Sequence, residues 1–119
     1  MLKDDCLFCK IIKGQIPAAK IFENEKVFAF KDIHPQAEQH YLVIPKFHVE
    51  SLAHLEDSNT SIVNDLFRAA NQISETEGFK SKGYRSVINT GKNGGQTVFH
   101  LHLHVMSDEK MSAKFGSNT

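Results

Sequence analysis

Three histidines occupy alternate positions near the end of this 119-residue chain, within the stretch FHLHLHVM that begins at Phe99. Successive side chains of a β-strand point to opposite faces of the sheet, so this spacing places His100, His102 and His104 on one face. The residues that alternate with them are apolar and predict a stripe facing the core: Phe99, Leu101, Leu103 and Val105. The histidines could simply fill the solvent face of the strand, but serine, lysine or glutamate would serve that purpose equally well.

The spacing of the three imidazoles favours contact with an extended ligand over chelation of one metal ion. Alternate residues of a strand lie about 6.6 Å apart, whereas each nitrogen that binds zinc lies about 2.0–2.1 Å from the ion. The preceding loop, NTGKNGGQT from Asn89 to Thr97, is rich in glycine, which lets backbone N–H groups turn toward an anion. An imidazole is a competent nucleophile toward phosphorus, and a neighbouring histidine can give or take a proton. The pattern therefore indicates phosphate chemistry.

The elements that must position these residues follow from the periodicity of apolar residues. The pattern predicts a short helix, three strands, a long helix and two further strands. The long helix carries apolar residues at helical spacing from Ile62 to Ile73, is capped by Asp57 or Ser58, and ends at Gly78. The predicted bounds of the other elements are Cys6–Lys13 for the short helix and Lys20–Glu23, Val27–Lys31, His40–Pro45, Tyr84–Asn89 and Val98–Met106 for the strands. This order predicts an α+β domain with a mostly antiparallel sheet, one short helix and one long helix.

The composition is that of one ordinary globular domain, with 40% hydrophobic and 24% charged residues. Because 14 basic residues balance 14 acidic residues, the chain lacks the basic footprint of a nucleic-acid-binding protein. No apolar run approaches the roughly 20 residues of a membrane span, and the first residues do not resemble a signal peptide. We therefore expect a cytoplasmic protein with one domain over residues 1–106 and a polar tail over residues 107–119.

Two motifs resemble those of the histidine triad (HIT) family. They are GGQT followed by His-x-His-x-His, and the segment DIHPQAEQHYLVIPKFH from Asp32 to His48. The resemblance extends from about Cys6 to Met106, and its motifs are most similar to the Hint branch of purine nucleoside phosphoramidases. It implies an enzyme similar to adenosine 5′-monophosphoramidases, with a HIT-like fold paired as a homodimer. Two alternatives are a dinucleoside polyphosphate hydrolase with the same triad and a nucleotide-binding regulatory protein without catalysis.

The resemblance also implies a role for individual residues. His102 would attack the α-phosphorus of an AMP-like purine nucleotide and be transiently nucleotidylated, and water would then hydrolyse the adduct without need of a metal. His104 would contact the phosphate, and His100 would brace the site together with His40. Asp32 would accept hydrogen bonds from the ribose, a role suited to an unpaired carboxylate. Residues implied in the apolar wall around the purine, each equally compatible with ordinary core packing, are Leu7, Phe8, Ile11, Ile16, Phe30 and Ile33. Residues implied to hold the phosphate and the leaving group are Asn89, Gly95, Gln96 and Thr97.

The pair Cys6 and Cys9 has the Cys-x-x-Cys spacing that in a cytoplasmic chain is more often metal-binding or redox-active than structural. A structural zinc ion takes four ligands, and His48 and His100 would complete the set. Some HIT proteins carry zinc at matching positions, whereas many members of the Hint branch lack the cysteines. Two alternatives stay open: a structural zinc ion, or two free thiols packed as small hydrophobic side chains.

Two positions depart from the Hint pattern. Phe115 is the one aromatic residue of the polar tail, where Hint proteins have a longer tail with an aromatic residue that reaches the neighbouring subunit. Lys31 precedes Asp32 where Hint proteins usually carry histidine. Both departures bear on substrate preference more than on reaction type.

Overall fold

Runs of β-branched and aromatic residues form an antiparallel sheet of five strands in the order β1-β2-β3-β5-β4. A computed structural model describes residues 1–111. Its strands are β1 Lys20–Glu23, β2 Val27–Lys31, β3 Gln39–Pro45, β4 Arg85–Val87 and β5 Leu103–Ser107, and its helices are α1 Leu7–Ile12 and α2 Ile62–Thr76. Three short 3-10 helices cover Leu52–His54, Lys80–Lys82 and Lys92–Gly94. The predicted α+β fold is confirmed, with the elements in the predicted order.

The two faces of the sheet are covered by different helices because alternate residues of β2 and β3 are apolar on both sides. Val27, Ala29, Tyr41 and Val43 pack with the apolar face of α2, which presents Ile62, Leu66, Ala69, Ala70 and Ile73. The intervening residues Phe28, Phe30, Leu42 and Ile44 pack with α1, through Phe8, Cys9 and Ile11. The sheet is thus buried on both faces at its centre, and α1 lies on the face opposite to α2.

The last strand is shorter than predicted, since β5 begins at Leu103 rather than at Val98. Its pairing with β3 ends where Leu103 lies opposite Val43, and proline at position 45 has no N–H to continue a ladder. The preceding residues follow a different path, on which the Leu101 N–H donates to the Val49 carbonyl at 2.8 Å. As a result Phe99, predicted to face the core, is 52% exposed, whereas Leu101 is fully buried.

The other boundaries differ by smaller amounts. Helix α2 begins after Ser61, not at a cap on Asp57 or Ser58, because the backbone first makes turns in which Asn59 and Thr60 donate to the Glu56 carbonyl. Strand β4 is three residues long instead of six, and β5 ends at Ser107, one residue beyond the predicted domain. Most of the predicted tail, with Phe115, lies outside the described residues. Among residues 1–111, no helix is both long enough and apolar enough to cross a membrane.

Candidate functional site

His100 and His102 lie under α1 rather than in solvent, and His104 is half-buried next to His40 and His102. His104 is in β5, and His100 and His102 lie on the irregular stretch before it. His100 is fully buried and His102 is 6% exposed, which rules out the solvent-face alternative. The Phe8 ring of α1 meets both imidazoles edge-on, at centroid distances of 5.9 Å from His100 and 5.2 Å from His102. The residues between the histidines, Leu101, Leu103 and Val105, are buried on the α2 side as predicted.

A backbone carbonyl determines which nitrogen of His102 carries a proton. His102 Nδ1 lies 2.7 Å from the His100 carbonyl oxygen, and a carbonyl only accepts, so Nδ1–H is the donor. Burial lowers the pKa of His102 below its usual value of 6.5, and the neutral ring therefore has its lone pair on Nε2. His102 is thus a neutral imidazole with an unprotonated Nε2, which is the form a nucleophilic histidine requires.

A second series of hydrogen bonds places the proton of His104 on Nε2, whereas the proton of His102 is on Nδ1. The Gln36 N–H donates to His40 Nδ1 at 3.0 Å, so the proton of the neutral His40 ring is on Nε2. That Nε2 lies 3.0 Å from His104 Nδ1 and 3.4 Å from an Asp32 carboxylate oxygen. His40 therefore donates to His104 Nδ1, and His104 carries its own proton on Nε2. The centroids of the His102 and His104 rings are 5.0 Å apart. His102 Nε2 is unprotonated, and His104 Nε2 carries a proton.

Burial is the main reason that these imidazoles are neutral. It lowers the pKa of His104 to about 4, and repulsion from the neighbouring His102 and His40 contributes while Asp32 opposes the shift. Burial also lowers the pKa of His40, again opposed by Asp32. Asp32 thus favours the protonated form of both rings, and a second anion next to His104 would act in the same direction.

Two expectations about partners are corrected by these contacts. His40 contacts His104, not His100, because β3 and β5 pair antiparallel with Leu42 opposite His104. Asp32 is not unpaired: one carboxylate oxygen accepts from the His34 N–H at 2.8 Å and the other faces His40. Any ribose hydroxyl that Asp32 holds must share the carboxylate with these groups.

Asp32, His40 and His104 place three ligand atoms within 4.8 Å of one another, yet the hydrogen bonding disfavours a metal ion there. His40 Nδ1 accepts a hydrogen bond from the Gln36 N–H, so binding a metal through Nε2 would leave neither ring nitrogen protonated. The arrangement instead fits proton transfer through imidazoles.

The glycine-rich loop before the triad is shaped by its own amide side chains. Gln96 is buried; its side-chain oxygen accepts from the Gly91 N–H at 2.8 Å, and its amide donates to the Glu50 and Val98 carbonyls. The Asn89 amide donates to the Gly94 carbonyl at 2.7 Å. Gly91 and Gly95 adopt positive φ angles of 69° and 81°, which favour glycine. The contacts of Asn89, Gly95, Gln96 and Thr97 with phosphate stay predictions.

The predicted apolar wall divides into a buried part and an exposed part. Phe8, Ile11 and Phe30 are buried together, and the Phe8 and Phe30 rings meet edge-on at 5.5 Å. Ile16 is half-buried against the same cluster. Leu7 and Ile33 are 46% and 83% exposed, so they could meet a ligand only at the surface. The Phe8 ring contacts the imidazole of the catalytic candidate His102 directly.

The four candidate metal ligands come together on the other side of His100. His100 Nδ1 lies 3.2 Å from Cys6 Sγ and 3.5 Å from Cys9 Sγ, and His48 Nδ1 lies 3.5 Å from Cys9 Sγ. Tetrahedral zinc with bonds of about 2.3 Å to sulfur and 2.0–2.1 Å to nitrogen requires about 3.5 Å between such atoms. His100 Nε2–H donates to the Pro45 carbonyl at 3.1 Å, which turns the Nδ1 lone pair toward the sulfurs. The four donors therefore fit a zinc ion in spacing, and His100 presents an unprotonated Nδ1 to it.

Sequence reasoning did not identify Gln36, Pro45 or the carbonyl of His100 as functional groups. All three act through the backbone, so no side-chain type marks them. The one available signal was positional, since each is next to or within a motif that was recognised.

Comparison with known proteins places this geometry in context. Residues 5–119 match the family model described as the C-terminal binding region of the scavenger mRNA decapping enzyme. A 14 kDa zinc-binding protein of Zea mays is 42% identical over 108 residues, covering 89% of this chain and 84% of that protein.

Two solved structures superpose closely. A histidine triad protein from Clostridium difficile has a TM-score of 0.93 and 40% identity, covering 96% of this chain and 99% of that one. A HIT family hydrolase from Clostridium thermocellum has a TM-score of 0.91 and 43% identity, covering 95% of this chain and 98% of that one.

Proposed function

This chain belongs to the histidine triad family, and on that premise we propose that it hydrolyses the P–N bond of AMP phosphoramidates through a nucleotidyl-histidine intermediate. The observation that carries the proposal is the 2.7 Å hydrogen bond from His102 Nδ1–H to the His100 carbonyl, which leaves His102 Nε2 as the free nucleophilic atom. The likeness to HIT family hydrolases supports the reaction class.

The first chemical step forms a bond between His102 Nε2 and the α-phosphorus and breaks the bond from phosphorus to the amine nitrogen. The bound phosphate is an anion and, like Asp32, favours protonation of His104. His104 then gives this proton to the leaving nitrogen, so that a neutral amine departs and His104 becomes a neutral base.

The second step uses the same groups in reverse. Water attacks the phosphorus and gives a proton to His104, the bond from phosphorus to His102 Nε2 breaks, and AMP is released. His40 Nε2 lies 3.0 Å from His104 Nδ1 and 3.4 Å from Asp32, so its N–H donates to His104 when that ring is neutral and to Asp32 when His104 carries both protons. The reaction needs no metal ion at the phosphorus.

The test compares substrates that share adenosine but differ in leaving group. An adenosine 5′-phosphoramidate with a fluorescent amine and a diadenosine polyphosphate are assayed in parallel, with His102→Ala as the control for the nucleophile. We expect AMP and free amine from the phosphoramidate, faster than cleavage of the polyphosphate, and none from His102→Ala. Preference for the polyphosphate would favour the alternative hydrolase, and binding without turnover would favour a nucleotide-binding protein.

We further propose that Cys6, Cys9, His48 and His100 bind one structural zinc ion per chain. The spacing of the four donors supports this, as does the likeness to a zinc-binding protein. The ion would stabilise the junction between α1 and the triad segment. Metal analysis of untagged protein tests it: we expect one zinc per chain in wild type and none in Cys9→Ser, whereas metal-free protein of full stability would show two packed thiols.

Two broader expectations remain part of the proposal. The protein would act as a homodimer on purine nucleotides, without nucleic acid or membrane as a partner. The pair of free cysteines fits a reducing compartment, which supports the cytoplasm as its location.

A further inference from the structure

His100 takes part in both the cysteine cluster and the catalytic site. Its Nδ1 lies within 3.5 Å of both sulfurs, and its Nε2–H donates to the Pro45 carbonyl. Its own backbone carbonyl accepts the 2.7 Å hydrogen bond that fixes the proton of His102. The side chain of one fully buried residue thus anchors the carbonyl that orients the nucleophile.

We propose that His100 is a positioning residue through which the metal bound at Cys6, Cys9 and His48 holds the nucleophile His102 in its reactive orientation. This inference rests on the proposed function of the same site and gives the cysteine cluster a role in the rate of reaction. It also gives a reason for one histidine of the triad to face away from the phosphate.

The backbone around His100 needs such an anchor because the regular sheet does not reach it. β5 begins three residues later, and in the described part of the chain the backbone hydrogen bond that holds this stretch runs from the Leu101 N–H to the Val49 carbonyl. The Leu101 N–H lies in the same peptide plane as the His100 carbonyl, so that hydrogen bond and the two ring contacts of the His100 side chain orient the carbonyl together.

Helix α1 provides a second, independent connection between the two centres. Cys6 caps this helix, with its sulfur accepting from the Cys9 N–H at 3.3 Å, and Phe8 lies between the two cysteines in sequence. The Phe8 ring packs against both His100 and His102. An ion bound by both cysteines would fix the position of α1 and thereby keep Phe8 packed against His102.

The expected consequence is a loss of turnover with little loss of nucleotide affinity. Without the anchor, the Nδ1–H hydrogen bond of His102 loosens and its Nε2 is less often aligned with the phosphorus. Groups that orient a reacting residue indirectly typically affect activity by about 10- to 100-fold. We expect kcat to fall in that range while the Kd for AMP changes by less than about threefold.

The experiment compares zinc-loaded wild type, the same protein stripped of metal, and His100→Gln. The glutamine amide still reaches toward the Pro45 carbonyl as a donor but offers no imidazole ligand. His54→Gln, an exposed histidine on a 3-10 helix, is the matched control. Turnover of the phosphoramidate gives kcat, calorimetry with AMP gives Kd, and ¹⁵N-histidine NMR reports whether His102 keeps its Nδ1–H form.

Metal-free protein and His100→Gln are expected to lose turnover and the single Nδ1–H signal of His102 while binding AMP, with His54→Gln unchanged. If zinc-loaded wild type fails to release AMP at all, the proposed function is wrong. If it turns over but the metal-free protein keeps both kcat and the NMR signal, the positioning role is overturned, as it is if the protein takes up no zinc.

A measurement on fully loaded protein covers the case in which metal removal unfolds the chain. Cobalt(II) replaces zinc, and its visible spectrum is followed while AMP is trapped on His102 with a slow substrate. Because coupling between two sites is reciprocal, the adduct should shift the cobalt bands in wild type and not in His102→Ala. An unchanged spectrum after complete adduct formation would contradict the proposal.

Discussion

At the scale of single residues, backbone groups fix the tautomers of His100, His102 and His40 directly, and that of His104 through His40. The carbonyls of His100 and Pro45 fix the protons of His102 and His100, and the Gln36 N–H fixes that of His40, which in turn fixes His104. In the proposed mechanism, three rings of one residue type thereby take three different functions: metal ligand, nucleophile and proton donor.

The assignment of the nucleophile predicts where a covalent adduct forms. Trapping with a slow phosphoramidate should place AMP on His102 Nε2, because Nδ1 is occupied by the His100 carbonyl. Peptide mapping by mass spectrometry locates the adduct, which should be labile in acid and to hydroxylamine. His102→Ala should give no adduct, and AMP found on His100 or His104 would contradict the assignment.

The burial of His104 predicts how stability depends on pH. Its pKa is about 4 in the folded protein and about 6.5 when unfolded, so between these values the unfolded chain binds a proton that the folded one does not. The free energy of unfolding should therefore be fully present above pH 6.5 and fall as the pH drops toward 4, by at most about 1.4 kcal/mol per pH unit for this group.

Urea unfolding of wild type and His104→Gln at several pH values from 6.5 to 4.5 measures this contribution. Wild type should lose about 1–2 kcal/mol more than the variant over that range, since the titrating groups that do not interact with His104 cancel in the difference. His54→Gln should follow wild type. Equal slopes for wild type and His104→Gln would show that His104 titrates alike in both states.

At the scale of elements, the sequence was most informative where the period of apolar residues is clean. Strands β1 and β2 were predicted to the residue, since KIFE and VFAFK are bounded by polar turns. The start of the last strand was predicted too early. The alternation of FHLHLHVM begins before the residues that pair with β3 through backbone hydrogen bonds. Alternation indicates which side chains are buried and not whether the backbone is paired, so the irregular segment before β5 and a strand have the same sequence pattern.

The loop before the triad predicts a functional effect of backbone strain. Gly95→Ala would force a side chain onto a φ of 81°, at a cost of about 1–2 kcal/mol, with its Cβ 3.7 Å from the Asn89 amide that shapes the loop. The strain should shift the path into His100 and lower kcat/KM by about tenfold, as expected of a misplaced site.

Gly78→Ala is the matched control for this prediction. Gly78 has a φ of 83° with open space around it, and it follows the end of α2, away from the triad. Both variants should lose similar stability in urea, but only Gly95→Ala should lose activity. Equal kinetics for the two would show that loop geometry does not matter to the reaction.

At the scale of the whole molecule, an apolar side chain of α2 and the nearby edge of the sheet stay exposed in the single chain. Helix α2 turns Ile62, Leu66 and Ile73 to the sheet but leaves Phe67 43% exposed on a neighbouring flank. Strand β4 is at the edge of the sheet, the position at which a strand of another chain can be added. An apolar flank next to an open edge is typical of a surface that pairs with a second copy.

We therefore predict a homodimer formed through α2 and the β4 edge, whose sedimentation gives twice the chain mass of 13.4 kDa at micromolar concentration. Phe67→Lys should shift the protein to monomer, because a charge in the middle of an apolar interface is costly to bury. The variant should keep its circular dichroism spectrum and zinc content, since the Phe67 side chain is exposed in the single chain. Gln72→Lys, an exposed position on another flank of α2, adds the same charge and should leave the dimer intact. A wild type that sediments as a single chain at these concentrations would rule the dimer out, and a Phe67→Lys protein that stays dimeric would move the interface away from α2.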